Sequence, residues 1–238
     1  MWTIEQTSLG RILVPPRLPP EVAVFATTVD FEGRITPLIS KRIEAVVQER
    51  FGIDATLATC NQVHGASIQR AVKETAWREC DSCDALWSDH RQVALGIKVA
   101  DCLPITMVDP VHSVIVNVHS GWRGAVQQIT ANAVDTVAAE TSFDARSTFA
   151  YLGPSIRACC FETGEEVASR FDDRYVDRSR SRPHVDLIGY TTASLRERGI
   201  PAGQIFDSGH CTRCEGSIFH SYRREGKGGG RNLAIVAQ

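Results

Sequence analysis

Two short apolar runs, residues 103–108 and 114–118, lie close together near the middle of the chain. Their length and their content of β-branched residues predict two buried strands. An Asp-Pro pair between the runs predicts a turn, so that the strands pair as a hairpin. Cys102 then enters the first strand and His119 leaves the second, at the same open end. The pattern therefore brings a thiol and an imidazole close together.

Apolar positions elsewhere predict further helices and strands. Helical spacing is found over residues 38–51, 122–141, 162–171 and 187–198. Gly52 follows the first of these helices as a C-cap, and Asp186 precedes the last as an N-cap. Short apolar runs predict strands over residues 12–14, 22–29, 55–59, 66–72, 93–99, 148–152, 205–207, 217–222 and 233–236. The polar segment 73–84 predicts a loop.

The order of these elements favours an α+β fold. Strands and helices follow one another without regular alternation, which argues against a doubly wound parallel sheet. We find no repeat and no linker-like stretch, so the 238 residues predict one domain.

Charge and composition narrow the classes of partner. The net charge of −2 gives no reason to expect a nucleic-acid partner. The chain lacks an apolar stretch long enough to span a bilayer, and its first residues lack the pattern of a signal peptide. These features predict a cytoplasmic protein. Its 8 cysteines are then expected to be reduced, as metal ligands, catalytic groups or core residues.

The hairpin end is the candidate site of chemistry. A thiol beside an imidazole can supply two metal ligands, or a nucleophile and its base. The segment that follows His119 opens a predicted helix and places Arg123 in its first turn. A helix N-terminus with an arginine beside it suits an anion such as phosphate.

Five short motifs, in this order, resemble the signatures of one family. They are Asn61-Gln62-Val63-His64-Gly65, Ala100-Asp101-Cys102-Leu103-Pro104, Val118-His119-Ser120-Gly121-Trp122-Arg123-Gly124, Leu152-Gly153-Pro154-Ser155-Ile156 and Ser221-Tyr222-Arg223-Arg224. The family is the YfiH-like family, also called laccase-domain, multicopper polyphenol oxidase or peptidoglycan editing factor, and now associated with purine nucleoside phosphorylase activity. The motifs extend from about residue 60 to the C-terminus.

The N-terminal part, residues 1–55, diverges from this family. Relatives carry an Arg-Gly-Gly stretch and an Asn-Leu-Gly stretch near the start. Residues 27–31 stand in the place of the first stretch, and we find no counterpart of the second. The resemblance therefore does not extend to any ligand contact that relatives make there.

The resemblance implies a layered α/β/β/α sandwich with mixed sheets and a metal bound by His64, Cys102 and His119. These three residues are also the predicted catalytic residues. One thiolate and two imidazoles suit Zn²⁺, and three protein ligands leave a fourth position for water or substrate. Cu²⁺ fits the same donors. One such site is not the copper cluster of a laccase, and the 7 histidines include no His-x-His pair.

The resemblance also implies phosphorolysis of adenosine, inosine and S-methyl-5'-thioadenosine, with some adenosine deamination. The partners would be purine nucleosides and phosphate. Substrate contacts are predicted at Arg123, Tyr222, Arg223 and Gln62, because arginine binds phosphate and tyrosine stacks on a base. The alternatives for these roles are Arg224 for phosphate and Phe219 or Trp122 for the base. Asp101 is a candidate proton carrier, but an Asp next to a strand Cys is expected to point to the opposite face.

Other functions remain open from sequence alone. Cys102 can be the nucleophile of a metal-free hydrolase or amidase, with His119 as base and His64 in an orienting or binding role, which would fit peptidoglycan precursor editing. A copper-dependent polyphenol oxidase and a regulatory nucleoside-binding protein are further alternatives. The sequence does not indicate an oligomeric state.

Two Cys-x-x-Cys pairs raise the prospect of a second metal site. The pairs are Cys80 with Cys83 and Cys211 with Cys214, and two such pairs can form a structural zinc site. Their wide separation in sequence argues against it, and the resemblance implies no second metal. The adjacent residues Cys159 and Cys160 are predicted to be core or wall residues.

Overall fold

The computed structural model describes residues 1–8, 10–31 and 35–238, which form 15 strands and 6 α-helices. The strands are β1 Thr3–Thr7, β2 Gly10–Val14, β3 Ala23–Thr27, β4 Thr56–Cys60, β5 Ile68–Arg70, β6 Arg78–Cys80, β7 Ala85–Ser88, β8 Val93–Val99, β9 Leu103–Asp109, β10 Val114–Ser120, β11 Phe149–Leu152, β12 Val176–Asp177, β13 His184–Val185, β14 Ile205–Asp207 and β15 Asn232–Ala237. The helices are α1 Pro37–Phe51, α2 Trp122–Val126, α3 Ile129–Glu140, α4 Glu165–Ala168, α5 Leu187–Glu197 and α6 Tyr222–Glu225. Leu9 and residues 32–34, within the divergent N-terminal part, lie outside the described residues.

Two mixed sheets contain most of the strands. One has seven strands in the order β1-β2-β3-β15-β8-β4-β6, and the other has six in the order β14-β11-β9-β10-β7-β5. Strand β4 is parallel to β6 and β8, β5 is parallel to β7, and β11 is parallel to β14, whereas the other pairs within these sheets are antiparallel. The predicted α+β class with mixed sheets is therefore confirmed.

The layers follow from which faces are apolar. Leu95 of one sheet and Ile115 of the other belong to the same buried cluster, so the sheets share a core between them. Helix α1 covers the outer face of the seven-stranded sheet, where Ile43 packs in a second cluster. Helices α3 and α5 cover the outer face of the six-stranded sheet. Each sheet is thus buried on both sides, as the predicted α/β/β/α sandwich requires.

The central hairpin is confirmed. Strands β9 and β10 pair antiparallel with His119 opposite Pro104, and every residue of both strands is buried. Burial on both faces explains the continuous apolar runs, because neither face has to be polar. Cys102 lies directly before β9, so it meets His119 at the end of the hairpin.

The predicted long helix over residues 122–141 is wrong, because it is broken in two. Gln128 adopts a left-handed conformation, with φ of 59°, between α2 and α3. Helix α2 packs closely on the loop between β4 and β5, since a Cβ at Gly124 would lie 3.1 Å from the Gly65 carbonyl oxygen. The break allows α2 to remain against that loop while α3 packs across the six-stranded sheet.

Three smaller predictions also differ from the structure. Residues 217–222 form no strand, because Ser221 caps α6 by accepting the Arg224 backbone N–H. The helix predicted over 162–171 is reduced to α4, and the loop predicted over 73–84 contains β6, which pairs with β4. Helix α1 agrees with its prediction, with Gly52 at φ 70° as its C-cap. Within the described ranges, no helix combines the length and hydrophobicity needed to cross a bilayer.

Candidate functional site

Three sequence-distant side chains converge at the open end of the central hairpin. The ligand atoms of His64, Cys102 and His119 all lie within 4.8 Å of one another, and the two imidazole rings meet edge to face with centroids 4.8 Å apart. His64 comes from the loop between β4 and β5, Cys102 precedes β9, and His119 lies on β10. One sulfur and two nitrogens at this spacing fit a zinc or copper ion after small side-chain adjustments.

Asp84 holds two of these three residues in place. Its buried carboxylate accepts a hydrogen bond from Nδ1 of His119 at 2.7 Å, which leaves Nε2 to face Cys102. It also accepts the backbone N–H groups of Val63, His64 and Gly65. These bonds stabilise the loop at His64, whose φ of 60° is unusual for a residue other than glycine. A carboxylate behind a histidine ligand is a recurrent feature of metal sites.

Gly121 keeps the space beside the thiol free. A Cβ at this position would lie 3.0 Å from Sγ of Cys102 and 3.4 Å from Cδ2 of His64. Its φ of −74° is open to any residue, so the requirement for glycine here is spatial. A larger residue at position 121 would therefore fill the space beside the Cys102 sulfur and the His64 ring.

The hydrogen bonds among these groups determine their charge in the absence of metal. Burial alone would raise the pKa of the Cys102 thiol, but hydrogen bonds from His119 and His64 outweigh it and lower the pKa to about 6. Burial would lower the pKa of His119, but its bonds to Asp84 and Cys102 raise the pKa to about 9. Burial would also raise the Asp84 pKa, yet hydrogen bonds from His119, Gly65 and His64 lower it. The thiol is thus prepared to act as a thiolate, the form that binds metal.

A cavity of about 650 Å³ opens above the three residues. This volume lies in the range of small-molecule binding sites. All seven sequence-predicted site residues line it, namely Gln62, His64, Cys102, His119, Arg123, Tyr222 and Arg223. Sequence reasoning missed Asn61, Lys98, Ala100, Ile156, Phe161 and Arg231, which also line the cavity. Residues 27–31 of the divergent N-terminal part are not among its lining residues.

Cationic side chains lie along the cavity wall. Arg123 is exposed and stacks on the Trp122 ring, with Cζ 4.4 Å from the ring centroid, which leaves its N–H edge able to donate. Arg223 donates from Nη2 to the Glu162 carbonyl oxygen at 3.1 Å. Helix α2 is too short for the predicted helix-dipole contribution, so attraction for an anion rests on the arginines.

Two side chains that the sequence suggests as substrate ligands form hydrogen bonds with the protein backbone. The Gln62 amide forms two hydrogen bonds with the backbone of Lys98, so it connects its loop to β8. The Arg224 guanidinium binds the carbonyl oxygens of Thr212, Arg213 and Phe219. These contacts argue against Arg224 as a phosphate ligand.

The three aromatic candidates for base stacking differ in their burial and in their position relative to the cavity. Phe219 is fully buried in the core. Trp122 packs against another buried cluster and is not among the residues that line the cavity. Tyr222 is 46% exposed and lines the cavity, as does Phe161. Stacking of a base requires a ring that lines the cavity. Of the three candidates predicted from the sequence, Tyr222 alone meets this requirement.

Asp101 positions the cavity wall. Its Oδ1 accepts the Thr212 hydroxyl and its Oδ2 accepts the Arg223 backbone N–H, each at 2.6 Å. Both carboxylate oxygens are therefore occupied by structural donors. This arrangement argues against Asp101 as the proton carrier, although the residue does border the cavity.

The other cysteines meet in an unexpected combination. Cys211 and Cys214 lie beside Cys159 and Cys160, with ligand atoms within 4.8 Å of one another. Cys80 and Cys83 are not part of this group, so the two Cys-x-x-Cys pairs do not combine. The prediction that Cys159 and Cys160 are only core or wall residues misses this grouping, because Cys159 is exposed and beside other sulfurs.

Comparison with known proteins identifies a family and relatives of the chain. The family model described as multi-copper polyphenol oxidoreductase laccase matches residues 39–238. A purine nucleoside phosphorylase from Deinococcus radiodurans is 32% identical over 206 residues, which cover 84% of this chain and 77% of that protein. Adenosine deaminase RL5, from an unidentified prokaryote, is 34% identical over 164 residues. That match covers 66% of this chain and 62%, or less than two thirds, of the relative.

Solved structures share the fold. The crystal structure of YlmD from Geobacillus stearothermophilus has a TM-score of 0.82 at 23% identity, and the match covers 99% of this chain and 98% of that one. YfiH from Bacillus licheniformis has a TM-score of 0.81 at 23% identity, with coverage of 95% and 96%. The chain therefore belongs to the multi-copper polyphenol oxidoreductase laccase family, the YfiH-like family that its five motifs resemble.

Proposed function

We propose that the chain is a zinc-dependent purine nucleoside phosphorylase that also deaminates adenosine. Its substrates would be adenosine, inosine and S-methyl-5'-thioadenosine. The observation that carries the proposal is the convergence of His64, Cys102 and His119 at a cavity bordered by arginines and a tyrosine. Relatives named purine nucleoside phosphorylase and adenosine deaminase support the same substrate class.

The donor set favours zinc. A thiolate and two imidazoles suit this ion, and a fourth position would face the cavity. Zinc held there supplies Lewis acidity toward an oxygen of the substrate or of water. Asp84 retains the proton on Nδ1 of His119, so that Nε2 stays available as a ligand.

Arg123 and Arg223 are the proposed phosphate ligands. Both guanidinium groups border the cavity, and a guanidinium can hold a phosphate through two parallel hydrogen bonds. Phosphate held between them would face the sugar carbon to which the purine is attached. The bond from sugar to base breaks as a bond from sugar to phosphate oxygen forms, and the proton that the hydrogen phosphate loses passes to the departing purine, directly or through water.

Tyr222 is the proposed platform for the base. The residue is partly exposed and lines the cavity, with Cζ of Arg231 5.9 Å from the ring centroid. Stacking accepts any purine, which fits a set of substrates that differ at the ring and at the 5' position. Deamination needs the same base position but no phosphate. We place the activity in the cytoplasm, where reduced cysteines persist.

The test is product analysis with and without phosphate. The protein is incubated with adenosine, and adenine, ribose 1-phosphate and inosine are separated by chromatography. The proposal expects adenine only when phosphate is present. Deamination should give inosine without phosphate, and inosine together with hypoxanthine from its own phosphorolysis when phosphate is present. An absence of both products with zinc bound would reject the proposed function.

A metal-free amidase is the second candidate. It is favoured by the position of the Cys102 thiol within 4.8 Å of an imidazole nitrogen of His119, which suits a nucleophile and its base. Hydrolysis of a peptidoglycan-type amide that persists after chelation would support it. Copper oxidation of phenols has less support, because the described residues contain only one mixed His/Cys group and one group of four cysteines.

A further inference from the structure

Four cysteines meet where two loops run side by side. Cys159 and Cys160 follow β11, whereas Cys211 and Cys214 follow β14, which pairs parallel with β11. An isolated bridge between Ser155 and Cys211 continues that pairing beyond the strands. Parallel pairing therefore brings the two cysteine pairs together, although about fifty residues separate them in sequence.

The sulfur spacing fits a tetrahedral metal ion. Sγ of Cys159 lies 3.7 Å from that of Cys211 and 3.9 Å from that of Cys214, and Cys160 lies 3.4 Å from Cys214. A zinc ion with bonds of about 2.3 Å to four sulfurs separates them by about 3.8 Å. A disulfide needs about 2.05 Å, and all eight cysteines are free.

The surroundings suit a negatively charged centre. Backbone N–H groups of Arg157 and Cys214 donate to the Cys211 sulfur, and the Arg213 side chain contacts the Cys160 sulfur. Four thiolates around Zn²⁺ carry a net charge of −2, which such donors stabilise. Cys160 and Cys211 are buried whereas Cys159 and Cys214 are exposed, so the cluster has both a rigid base and a route for the ion.

We propose that Cys159, Cys160, Cys211 and Cys214 bind a second zinc ion, with a structural role. Binding displaces four thiol protons to solvent, and the ion retains no open position for substrate. This site is separate from the His64, Cys102 and His119 group and does not depend on the proposed function.

The second zinc would fix one wall of the cavity. It joins the loop that carries Ile156 and Phe161, which line the cavity, to the loop that carries Thr212. Thr212 in turn donates to Asp101, the residue before Cys102. Loss of the ion should therefore lower thermal stability first, and affect substrate binding only through the position of the wall.

Zinc counting in matched variants tests the site. The protein and the variants Cys214→Ser, Cys102→Ser and the double variant are produced with added zinc and analysed by mass spectrometry for metal per chain. We expect about two, one, one and zero equivalents, respectively, because each serine removes a thiolate that its site requires. Cys80→Ser changes the other Cys-x-x-Cys pair and should retain about two equivalents.

X-ray absorption of the unmodified protein gives a readout that does not depend on variants. Two sites together give zinc surrounded mainly by sulfur at roughly 2.3 Å, whereas the mixed site alone gives mainly nitrogen at roughly 2.0–2.1 Å. A mainly nitrogen signal, with zinc content unchanged in Cys214→Ser, would overturn the proposal. Intact mass lower by two or four hydrogens, without zinc, would also overturn it and indicate disulfides instead. Loss of zinc in Cys102→Ser alone bears on the proposed function and leaves this site unaffected.

Discussion

The Asp84 carboxylate lies 2.7 Å from Nδ1 of His119 and, at the same time, accepts three backbone N–H bonds from the loop that carries His64. One buried side chain thus orients two of the three proposed metal ligands. The third, Cys102, is placed by the hairpin itself, so the site depends on one carboxylate and one strand pair.

Asp84→Asn tests this arrangement. An amide cannot accept all four hydrogen bonds with the strength of a carboxylate, so the His64 loop and the His119 ring should lose their fixed orientation. We expect zinc affinity at this centre to fall by about 10- to 100-fold. Competition with a chromophoric chelator measures the change.

Asp109→Asn is the matched control for that variant. Asp109 is equally buried and binds Nδ1 of His112 at 2.7 Å, but it lies at the turn end of the hairpin. It should lower stability without a change in zinc affinity. Equal losses of affinity in both variants would show that Asp84 acts only through the fold.

Gly121→Ala tests the space beside the thiol. The new Cβ would stand 3.0 Å from the Cys102 sulfur, while the backbone conformation remains allowed. We therefore expect a folded protein with weaker zinc binding and lower turnover. Gly203→Ala is the control, because nothing lies within 4 Å of its Cβ. Wild-type zinc affinity and turnover in Gly121→Ala would contradict the proposed ion position.

Arg123→Ala separates the two proposed reactions. Loss of a bidentate phosphate contact should raise the KM for phosphate by about 10- to 150-fold, since charged hydrogen bonds contribute about 1.5–3 kcal/mol. Adenosine deamination, which uses no phosphate, should change little. Arg146→Ala removes an exposed arginine outside the cavity and serves as the control. An equal loss in both reactions would remove Arg123 from the phosphate site.

Tyr222→Ala tests stacking of the base. Base stacking on an aromatic ring contributes about 1–3 kcal/mol, so the KM for adenosine should rise by roughly 5- to 150-fold. Tyr222→Phe retains the ring and should retain most of the affinity. If Tyr222→Phe loses as much affinity for adenosine as Tyr222→Ala, the hydroxyl rather than the ring makes the contact.

Local patterns predicted the elements that depend on local contacts. The hairpin of β9 and β10 follows from two apolar runs and a turn, and it places Cys102 beside His119. Helix α1 follows from its spacing and Gly52. The layers and the seven cavity residues came from the motifs that resemble one family.

Those local patterns do not predict which strands pair when they are far apart in the sequence. Asp84 stands in a polar segment, and it reaches the His64 loop only because β5 pairs parallel with β7. The four-cysteine cluster needs the parallel pairing of β11 with β14 in the same way. Gln128 breaks a helix whose apolar spacing continues without interruption, because packing of α2 on the Gly65 loop overrides periodicity.

The central claim is that a zinc ion held by Cys102 and the two imidazoles performs the nucleoside chemistry. The most direct measurement is zinc content together with the rate of phosphate-dependent adenine release, in the protein and in Cys102→Ser. The account predicts that the variant loses about one zinc per chain and its activity together, because a neutral hydroxyl cannot replace a thiolate ligand. A variant that keeps its full zinc but loses activity, or loses zinc but keeps activity, would contradict it.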